Sequence, residues 1–287
     1  MATIIDGKLV AKKIKDELSL KIKSLNEKIG HEVSLAVILV GNNPASEVYV
    51  RNKIKACEYV GIKSFSYCLP ETVSQDEVKN LIKTLSKDDK IDGILVQLPL
   101  PKGFNENEIL SLIPENKDVD GFTSNNLGNL LLSKDCIVSC TPQAVITLLK
   151  ETNVELAGKH AVVIGRSNIV GKPVSLLLLQ ENCTVSICHS KTANLKEICL
   201  SADIIVAAVG KTHLVKQDMV KDGAIVIDVG INRTKNGLKG DVDFDEVSKK
   251  ASFITPVPGG VGPMTIAMLL VNTYNCAVMR NVNDWFW

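Results

Sequence analysis

A hydroxyl, a phenol and an amine recur at helical spacing near the start of the chain. Ser46, Tyr49 and Lys53 stand at positions i, i+3 and i+7 of the segment from Gly41 to Ile62. A helix has about 3.6 residues per turn, so these side chains would share one face. They could bind a polar molecule, with the amine available for proton transfer. The alternative is an ordinary amphipathic helix with a solvated lysine.

The same segment carries the signals that begin and end a helix. Asn43 is a fitting N-cap, Pro44 is tolerated in a first turn, and Gly61 suits the position after the last helical residue. A strand-like run at 33–40 precedes it. The sequence therefore predicts a strand followed by one helix that presents the three polar groups.

Two further stretches offer polar side chains where strands should end. Gln97 lies at the carboxyl end of the predicted strand at 91–98. Ligands of parallel sheets bind beyond the carboxyl ends of the strands. Gln97 is therefore a site candidate, although it could simply cap loop amides before two prolines. In the turn-rich stretch at 114–122, Asp118 and Asp120 could shape the turn or present a carboxylate to a ligand. The sequence leaves both interpretations open.

A glycine-rich turn after another predicted strand indicates a dinucleotide site. The strand at 159–165 ends on Gly165, and the turn to Gly171 opens a helix whose N-terminus could hold a pyrophosphate. Ser167 replaces the second glycine of the usual G-x-G-x-x-G pattern, so a simple turn is the alternative. Further predicted strands at 184–188, 203–209 and 224–229 favour the nucleotide interpretation.

The end of the second strand in this unit favours NADP over NAD. An Asp or Glu usually meets the free ribose diol of NAD there. The stretch at 188–192 has no carboxylate and instead carries Ser190 and Lys191, while Arg166 lies in the first turn. The alternative is a polar loop with a solvated lysine.

Composition limits the class of protein. The 287 residues carry a net charge of +1, are 45% hydrophobic and 23% charged, and show no signal peptide and no apolar run long enough to span a membrane. A nucleic-acid or membrane partner is therefore not expected. The eight cysteines form no C-x-x-C pair and the four histidines no metal pattern, so we expect reduced cysteines in the cytoplasm and no metal site.

Alternating strands and helices predict an α/β fold with a mainly parallel sheet. A change of domain is expected within 120–150. Near the C-terminus, three glycines and three prolines at 255–265 constrain the backbone, which favours close approach to a ligand over a plain linker.

Seven motifs in order resemble the bifunctional methylenetetrahydrofolate dehydrogenase/methenyltetrahydrofolate cyclohydrolase family over nearly the whole chain. They are ASEVYVRNKIKACEYVGI (45–62), GILVQLPLP (93–101), KDVDGF (117–122), GRSNIVGKP (165–173), HSKT (189–192), DVGIN (228–232) and PGGVGPMT (258–265).

The resemblance implies two α/β domains with a cleft between them. Residues 1–140, completed by a C-terminal helix at 263–287, would bind folate, and 141–262 would form a Rossmann-type domain that binds NADP. It also implies a cytoplasmic homodimer that acts on tetrahydrofolate derivatives and serves one-carbon metabolism and purine biosynthesis.

Individual roles follow from the same resemblance. Lys53 matches the catalytic lysine, Tyr49 the tyrosine that packs on the folate, Gln97 the glutamine that modulates the lysine, and Asp120 the aspartate that holds the pterin. Further substrate contacts would come from Ser46, Leu98, Pro99, Gly259 and Gly260. The dinucleotide would contact Gly165, Arg166, Ser167, Ser190 and Ile231.

The match departs from the family at one loop. The usual P-C-T-P-x-G reads Ser139-Cys140-Thr141-Pro142-Gln143-Ala144 here, so the path of that loop is expected to differ.

The implied chemistry is hydride transfer from 5,10-methylenetetrahydrofolate to NADP+, followed by hydrolysis to 10-formyltetrahydrofolate. The hydrolysis needs a proton shuttle, and a lysine can act as one when burial lowers its pKa toward neutrality. Two other functions fit parts of the same sequence. Tyr49 and Lys53 match the Y-x-x-x-K of short-chain dehydrogenases, but there the glycine-rich turn precedes the tyrosine. An NADP-binding regulatory module would not need Lys53 and Gln97.

Overall fold

A computed structural model describes residues 1–235 and 237–282. The chain divides into two compact units. One comprises Met1–Ala11 and Ser139–Met268, and the other comprises Lys12–Val138 and the chain from Leu269 onward. We refer to them as the nucleotide unit and the lysine unit, because the first contains the Gly165 turn and the second contains Lys53.

The helices are α1 (Gly7–Ile29), α2 (Pro44–Val60), α3 (Gln75–Lys87), α4 (Glu106–Leu110), α5 (Ser124–Leu131), α6 (Cys140–Lys150), α7 (Gly171–Gln180), α8 (Leu195–Leu200), α9 (Phe244–Val247) and α10 (Val261–Asn281). The strands are β1 (Thr3–Ile4), β2 (Ser34–Val40), β3 (Lys63–Leu69), β4 (Gly93–Val96), β5 (His160–Ile164), β6 (Thr184–Cys188), β7 (Ile204–Ala207), β8 (Ile225–Asp228), β9 (Asn232–Thr234), β10 (Gly237–Lys239) and β11 (Phe253–Ile254).

The lysine unit is built on a three-stranded parallel sheet in the order β3-β2-β4. Every residue of β2 is buried, as expected for a central parallel strand covered on both faces. Val78, Ile82 and Leu85 of α3 pack into this core. α3 begins with a capping box, in which Glu77 N donates to Ser74 Oγ and Ser74 N donates to Glu77 Oε2.

The nucleotide unit contains a six-stranded, all-parallel sheet in the order β1-β11-β8-β7-β5-β6. The predicted α/β class with a parallel sheet is confirmed. Strand order reverses at β5, which lies between β6 and β7. In such sheets a ligand crevice forms at the carboxyl ends of the strands where the order reverses.

The N-terminal residues join the nucleotide unit. Thr3 and Ile4 pair in parallel with Phe253 and Ile254 of β11. Met1–Ala11 accordingly belong to the nucleotide unit, whereas the sequence prediction placed them in a domain of residues 1–140. A two-residue strand has too short a pattern to be detected in a sequence. The division also falls within α10, after Met268, rather than at residue 263.

The stretch that departs from the family motif is mostly helical. α6 begins at Cys140, with Pro142 in its first turn, and Ala144 lies inside it and is completely buried. The expected loop is therefore the start of a helix, in which Ala is a better helix former than Gly.

Within the part of the chain that the structure describes, one helix is long and apolar enough to cross a membrane. This is α10, and 67% of its apolar window is buried in the protein. The sequence expectation that no segment is long and apolar enough to span a membrane is therefore wrong by the criterion of length and composition. Uncharged polar residues such as Asn272 and Thr273 interrupt the apolar run but leave its mean hydropathy high. Arg280 Nη1 near its end donates to Asp92 Oδ1 and to the Ile91 carbonyl, each at 2.7 Å.

Candidate active site and nucleotide-binding turn

The lysine predicted to be catalytic is hydrogen-bonded to the predicted glutamine. Lys53 on α2 is half-buried, and its Nζ donates to Gln97 Oε1 at 3.0 Å. Gln97 directly follows β4, and its backbone N–H donates to the Ile38 carbonyl of β2. The expectation that Gln97 lies at the carboxyl end of a strand is thus confirmed. This hydrogen bond joins residues 44 positions apart, one on α2 and the other directly after β4.

The amide of Gln97 has a defined orientation. Its Nε2 donates to the Leu98 carbonyl at 2.6 Å, so its Oε1 faces Lys53 and accepts from the amine. An amide presents both a donor and an acceptor, so fixing the NH2 group on Leu98 makes the oxygen the partner of the lysine amine. The arrangement holds the amine in place with a neutral acceptor and adds no negative charge.

The two aspartates that the sequence could not separate have different surroundings. Asp118 is buried and accepts from the N–H groups of Gly121 (3.0 Å) and Thr123 (2.8 Å) and from Asn126 Nδ2 (3.0 Å). It is the residue that forms the turn. Among residues 1–235 and 237–282, no group donates a hydrogen bond to the carboxylate of Asp120. Asp120 is therefore available to a ligand.

The electrostatics of Asp120 support this division. Desolvation by the surrounding protein raises the pKa of Asp120 to about 6, while the charge of Lys53 lowers it and the charge of Asp118 raises it further. Lys53 and Asp120 are thus close enough to interact. A carboxylate without hydrogen-bond donors is costly to ionise, and a ligand that brings N–H groups would remove that cost.

Two residues that the sequence did not single out hold the Asp120 loop. Asn272 of α10 is buried, and its Nδ2 donates to the carbonyls of Val119 and Val138, each at 2.8 Å. Gly93 of β4 lies so close to Val119 that any Cβ there would collide with its side chain. Both contacts join segments far apart in sequence, so no local pattern could have revealed them.

The other predicted substrate residues of the lysine unit lie on α2 or directly after Gln97. Ser46 and Tyr49 lie on α2 with Lys53, the first buried and the second 42% exposed. Their side chains have no hydrogen bond to Lys53, Gln97 or Asp120 in the described structure. Leu98 is half-buried and Pro99 exposed. A cavity of about 290 Å³ adjoins them, lined by Val40, Gly41, Asn42, Asn43, Glu71, Pro99, Leu100 and Pro101.

The predicted nucleotide turn has the close packing of a dinucleotide site. Gly165 follows β5 with φ of +133°, and a Cβ there would collide with the Ala208 carbonyl after β7. A Cβ at Gly171 would collide with the Gly165 carbonyl, so the helix start lies directly on the turn. The turn therefore lies where the strand order reverses, between β5 and β7.

Ser167, which stands at the place of the second glycine, is bonded to the start of α7. Its Oγ accepts from the N–H groups of Val170 (3.2 Å) and Gly171 (3.3 Å) at the start of α7. Arg166 and Ser167 are exposed on the turn. After β6, Ser190 and Lys191 are exposed in a tight turn. This turn is closed by His189 N donating to Thr192 Oγ1 at 2.8 Å.

The remaining predicted residues lie in the loops that follow β8 and β11. Ile231 is 45% exposed. Gly259 has φ of +114°, and the N–H of Gly260 donates to the Pro256 carbonyl at 2.8 Å. Gly7 at the start of α1 packs so closely on the Gly260 carbonyl that a Cβ would collide with it. The glycine-rich path thus reflects close backbone packing.

The described residues offer no cluster of three or more His, Cys, Asp or Glu side chains able to hold a metal ion. All eight cysteines are free thiols, six of them buried. Burial raises the pKa of Cys136 to about 11, which makes it a poor ligand for a metal at neutral pH.

Comparisons with known proteins agree with this geometry. Residues 5–120 match the model of the tetrahydrofolate dehydrogenase/cyclohydrolase catalytic domain, and residues 139–281 match the model of the NAD(P)-binding domain of the same family. The bifunctional protein FolD of Agathobacter rectalis is 56% identical over 273 residues, which cover 95% of this chain and 98% of that protein.

Two solved structures are similar over nearly their whole length. The bifunctional FolD methylenetetrahydrofolate dehydrogenase/cyclohydrolase of Campylobacter jejuni has a TM-score of 0.95 at 54% identity, covering 98% of this chain and 100% of that one. The Trypanosoma brucei FolD enzyme, complexed with NADP cofactor and inhibitor, has a TM-score of 0.93 at 40% identity and covers 99% of both chains.

Proposed function

Because this chain belongs to the tetrahydrofolate dehydrogenase/cyclohydrolase family, we propose that Lys53, Gln97 and Asp120 form its folate-converting centre. The observation that carries the proposal is the 3.0 Å hydrogen bond from Lys53 Nζ to Gln97 Oε1. Asp120, whose pKa responds to the charge of Lys53, supplies a carboxylate to which no described residue donates a hydrogen bond. The lysine unit is therefore the folate-binding unit, with Tyr49, Ser46, Leu98 and Pro99 as further contacts.

The reaction is the interconversion of one-carbon folates. The enzyme oxidises 5,10-methylenetetrahydrofolate to 5,10-methenyltetrahydrofolate with NADP+ and hydrolyses the product to 10-formyltetrahydrofolate. Family membership decides against the short-chain dehydrogenase interpretation of Tyr49 and Lys53. It also decides against a regulatory module without catalysis.

The nucleotide unit has residues that fit NADP. The start of α7 lies directly on the Gly165 turn, and the positive end of the helix dipole favours a pyrophosphate there. Arg166, Ser190 and Lys191 are exposed and would hold the 2′-phosphate, while Ile231 would contact the dinucleotide from the loop after β8. Bound NADP+ supplies the hydride acceptor of the dehydrogenase step.

The hydrolytic step depends on proton transfer by the chain itself. The oxygen of a water molecule bonds to the methenyl carbon, and the carbon's bond to N5 breaks with its electron pair going to that nitrogen. One proton of the water must reach N5, and the other is released. An amine held by Gln97 Oε1 can take a proton from the attacking water and return it to N5. We therefore assign Lys53 the role of proton shuttle.

Two separate assays test this function. With purified protein, NADPH should form only when 5,10-methylenetetrahydrofolate and NADP+ are both present. In a second assay without any dinucleotide, 5,10-methenyltetrahydrofolate should lose its absorbance faster with the protein than in buffer alone. Hydrolysis needs no hydride acceptor, so this activity does not depend on NADP+. Absence of both activities in folded protein would refute the proposed function.

The cofactor preference gives a prediction about Arg166. Replacing Arg166 by Ala should raise the dissociation constant for NADP+ about tenfold or more, since hydrogen bonds to a charged group contribute about 1.5–3 kcal/mol. The constant for NAD+ should change little, because NAD+ has no 2′-phosphate. Titration calorimetry with both dinucleotides measures the two effects. Arg233→Ala, an exposed arginine on β9, is the control. Equal losses for NADP+ and NAD+ would contradict the assignment of Arg166 to the phosphate.

We also infer a cytoplasmic homodimer, as the family resemblance implies. The inference rests on the resemblance alone. Light scattering on the eluting protein should give about twice the 31.1 kDa chain mass.

A further inference from the structure

Two buried aspartates connect the loops at the carboxyl ends of β7 and β8. Asp228 is the last residue of β8 and is 3% exposed, and Asp241 follows β10 and is completely buried. We call this pair the aspartate clasp. Its hydrogen bonds go to the two loops that border the predicted nucleotide site. Asp228 begins the DVGIN motif, but neither aspartate is among the residues named above as dinucleotide contacts.

Asp241 accepts four hydrogen bonds from two separate segments. Its Oδ2 accepts from the N–H groups of Val209 (2.7 Å) and Gly210 (2.9 Å). Its Oδ1 accepts from Lys211 N (2.8 Å) and from Asn232 Nδ2 (2.9 Å). An ionised carboxylate has about four acceptor positions, so the bonding capacity of Asp241 is filled. The loop after β7 is thereby held against the start of β9.

Asp228 holds Asp241 and the loop after β8. Its Oδ1 accepts from Gly230 N and from Asp241 N, and its Oδ2 accepts from Val242 N, each at 2.9 Å. Its own N–H donates to Thr255 Oγ1 at 2.8 Å. The backbone of the segment that carries Asp241 is thus anchored to the end of β8.

The fit between these segments leaves no space for larger residues. A Cβ at Gly230 would collide with the carboxylate of Asp241, and a Cβ at Gly240 would collide with that of Asp228. Ile231 lies between Gly230 and Asn232, both of which donate to the clasp. Val209 follows Ala208, whose carbonyl contacts the Gly165 turn. The clasp therefore determines the position of Ile231 relative to that turn.

We propose that Asp241 is a positioning residue for NADP, which holds the loops after β7 and β8 in the arrangement that places Ile231 against the bound dinucleotide. This inference rests on the proposed function of the nucleotide unit and extends it to a residue that does not touch the ligand. Its effect should appear in NADP+ affinity and leave the hydrolysis of methenyltetrahydrofolate intact, because hydrolysis requires no dinucleotide.

Asp241→Asn tests the proposal. Asn has one side-chain oxygen and would point an N–H2 group toward N–H donors, so the loop after β7 should shift. We expect the dissociation constant for NADP+, measured by titration calorimetry, to rise about tenfold or more. The rate of methenyltetrahydrofolate hydrolysis without NADP+ should stay within about twofold of the parent rate. Asp245→Asn, an exposed aspartate on α9, should change neither quantity.

A second variant keeps the test decisive if Asp241→Asn does not fold. Asn232→Ala removes one of the four donors and should weaken NADP+ binding by about threefold to fivefold, again without slowing hydrolysis. Unchanged NADP+ affinity in a folded clasp variant would overturn the proposal, as would a parallel fall of both activities. Failure of the parent protein to bind NADP+ would refute the function of the nucleotide unit itself, and the positioning role with it.

Discussion

Replacing Lys53 by Met should lower the rate of methenyltetrahydrofolate hydrolysis by about 10²-fold or more, the usual contribution of a positioned proton-transfer group. Met keeps much of the length of the lysine stem but cannot take or give a proton. The bond to Gln97 Oε1 is also lost, which costs little because Gln97 retains solvent exposure. The decrease in the absorbance of methenyltetrahydrofolate with time, followed in a spectrophotometer, measures the rate of hydrolysis.

The same variant should keep its dinucleotide site. Lys53 belongs to the lysine unit, whereas the Gly165 turn belongs to the nucleotide unit, so NADP+ affinity should not change. Dehydrogenase activity should survive in part, since hydride transfer depends mainly on positioning. Lys55→Met is the matched control, because Lys55 lies on the same helix and is exposed. Hydrolysis at the parent rate in the Lys53 variant would refute the shuttle role.

The second large effect is expected for Asp120. A reduced pterin presents adjacent N–H groups, and an ionised carboxylate can accept two of them at once. Asp120→Asn removes one acceptor and directs a donor at the pterin, so folate affinity should fall about tenfold to 10²-fold. Both activities should fall with it, while NADP+ affinity stays constant. Fluorescence titration with a non-reacting folate analogue measures the change.

Stability separates Asp120 from its neighbour. Asp120→Asn should not lower the Tm by more than a degree or two, because no donor within residues 1–235 and 237–282 loses a partner. Asp118→Asn should lower it clearly, since the buried Asp118 carboxylate accepts three hydrogen bonds. Normal folate affinity in Asp120→Asn would reduce Asp120 to a residue of the loop.

The pKa of Asp120 adds a pH dependence. Burial raises the pKa of the Asp120 carboxyl to about 6 in the protein without ligand, so the group is mainly ionised above that pH and mainly protonated below it. Protonation removes acceptor capacity for the pterin N–H groups. Folate affinity should therefore be full above pH 7 and decline as the pH falls through 6. The Asn variant lacks the titrating group and should lose this step, which a titration series from pH 5 to 8 would detect.

Local patterns predicted the parts of the fold that are locally determined. The start of α2 after Asn43 and the strand at 184–188 both depend on residues within a few positions of each other. Gln97 was placed correctly because the carboxyl end of a parallel strand is a general ligand position. The alternation of strands and helices was sufficient for the fold class.

Contacts between distant segments could not be read from the sequence. The roles of Asp118 and Asp120 separate only when the turn is seen to donate to one and not the other. Asn272 reaches the Val119 carbonyl across 153 positions, and the four donors of Asp241 lie 9 to 32 positions away. Asp118, Asn272 and Asp241 are polar and buried, which is a property of the fold and not of any short pattern.

The most direct test of the central claim is one reaction that starts from 5,10-methylenetetrahydrofolate and NADP+. NADPH, methenyltetrahydrofolate and 10-formyltetrahydrofolate are measured in the same sample over time. The two-step function predicts that the methenyl compound rises briefly and that 10-formyltetrahydrofolate then accumulates, with NADPH equal to the sum of the two folate products. With Lys53→Met the methenyl compound should accumulate, and 10-formyltetrahydrofolate should form more slowly by about 10²-fold or more. Accumulation of 10-formyltetrahydrofolate at the parent rate in that variant, or no NADPH from the parent protein, would contradict the claim.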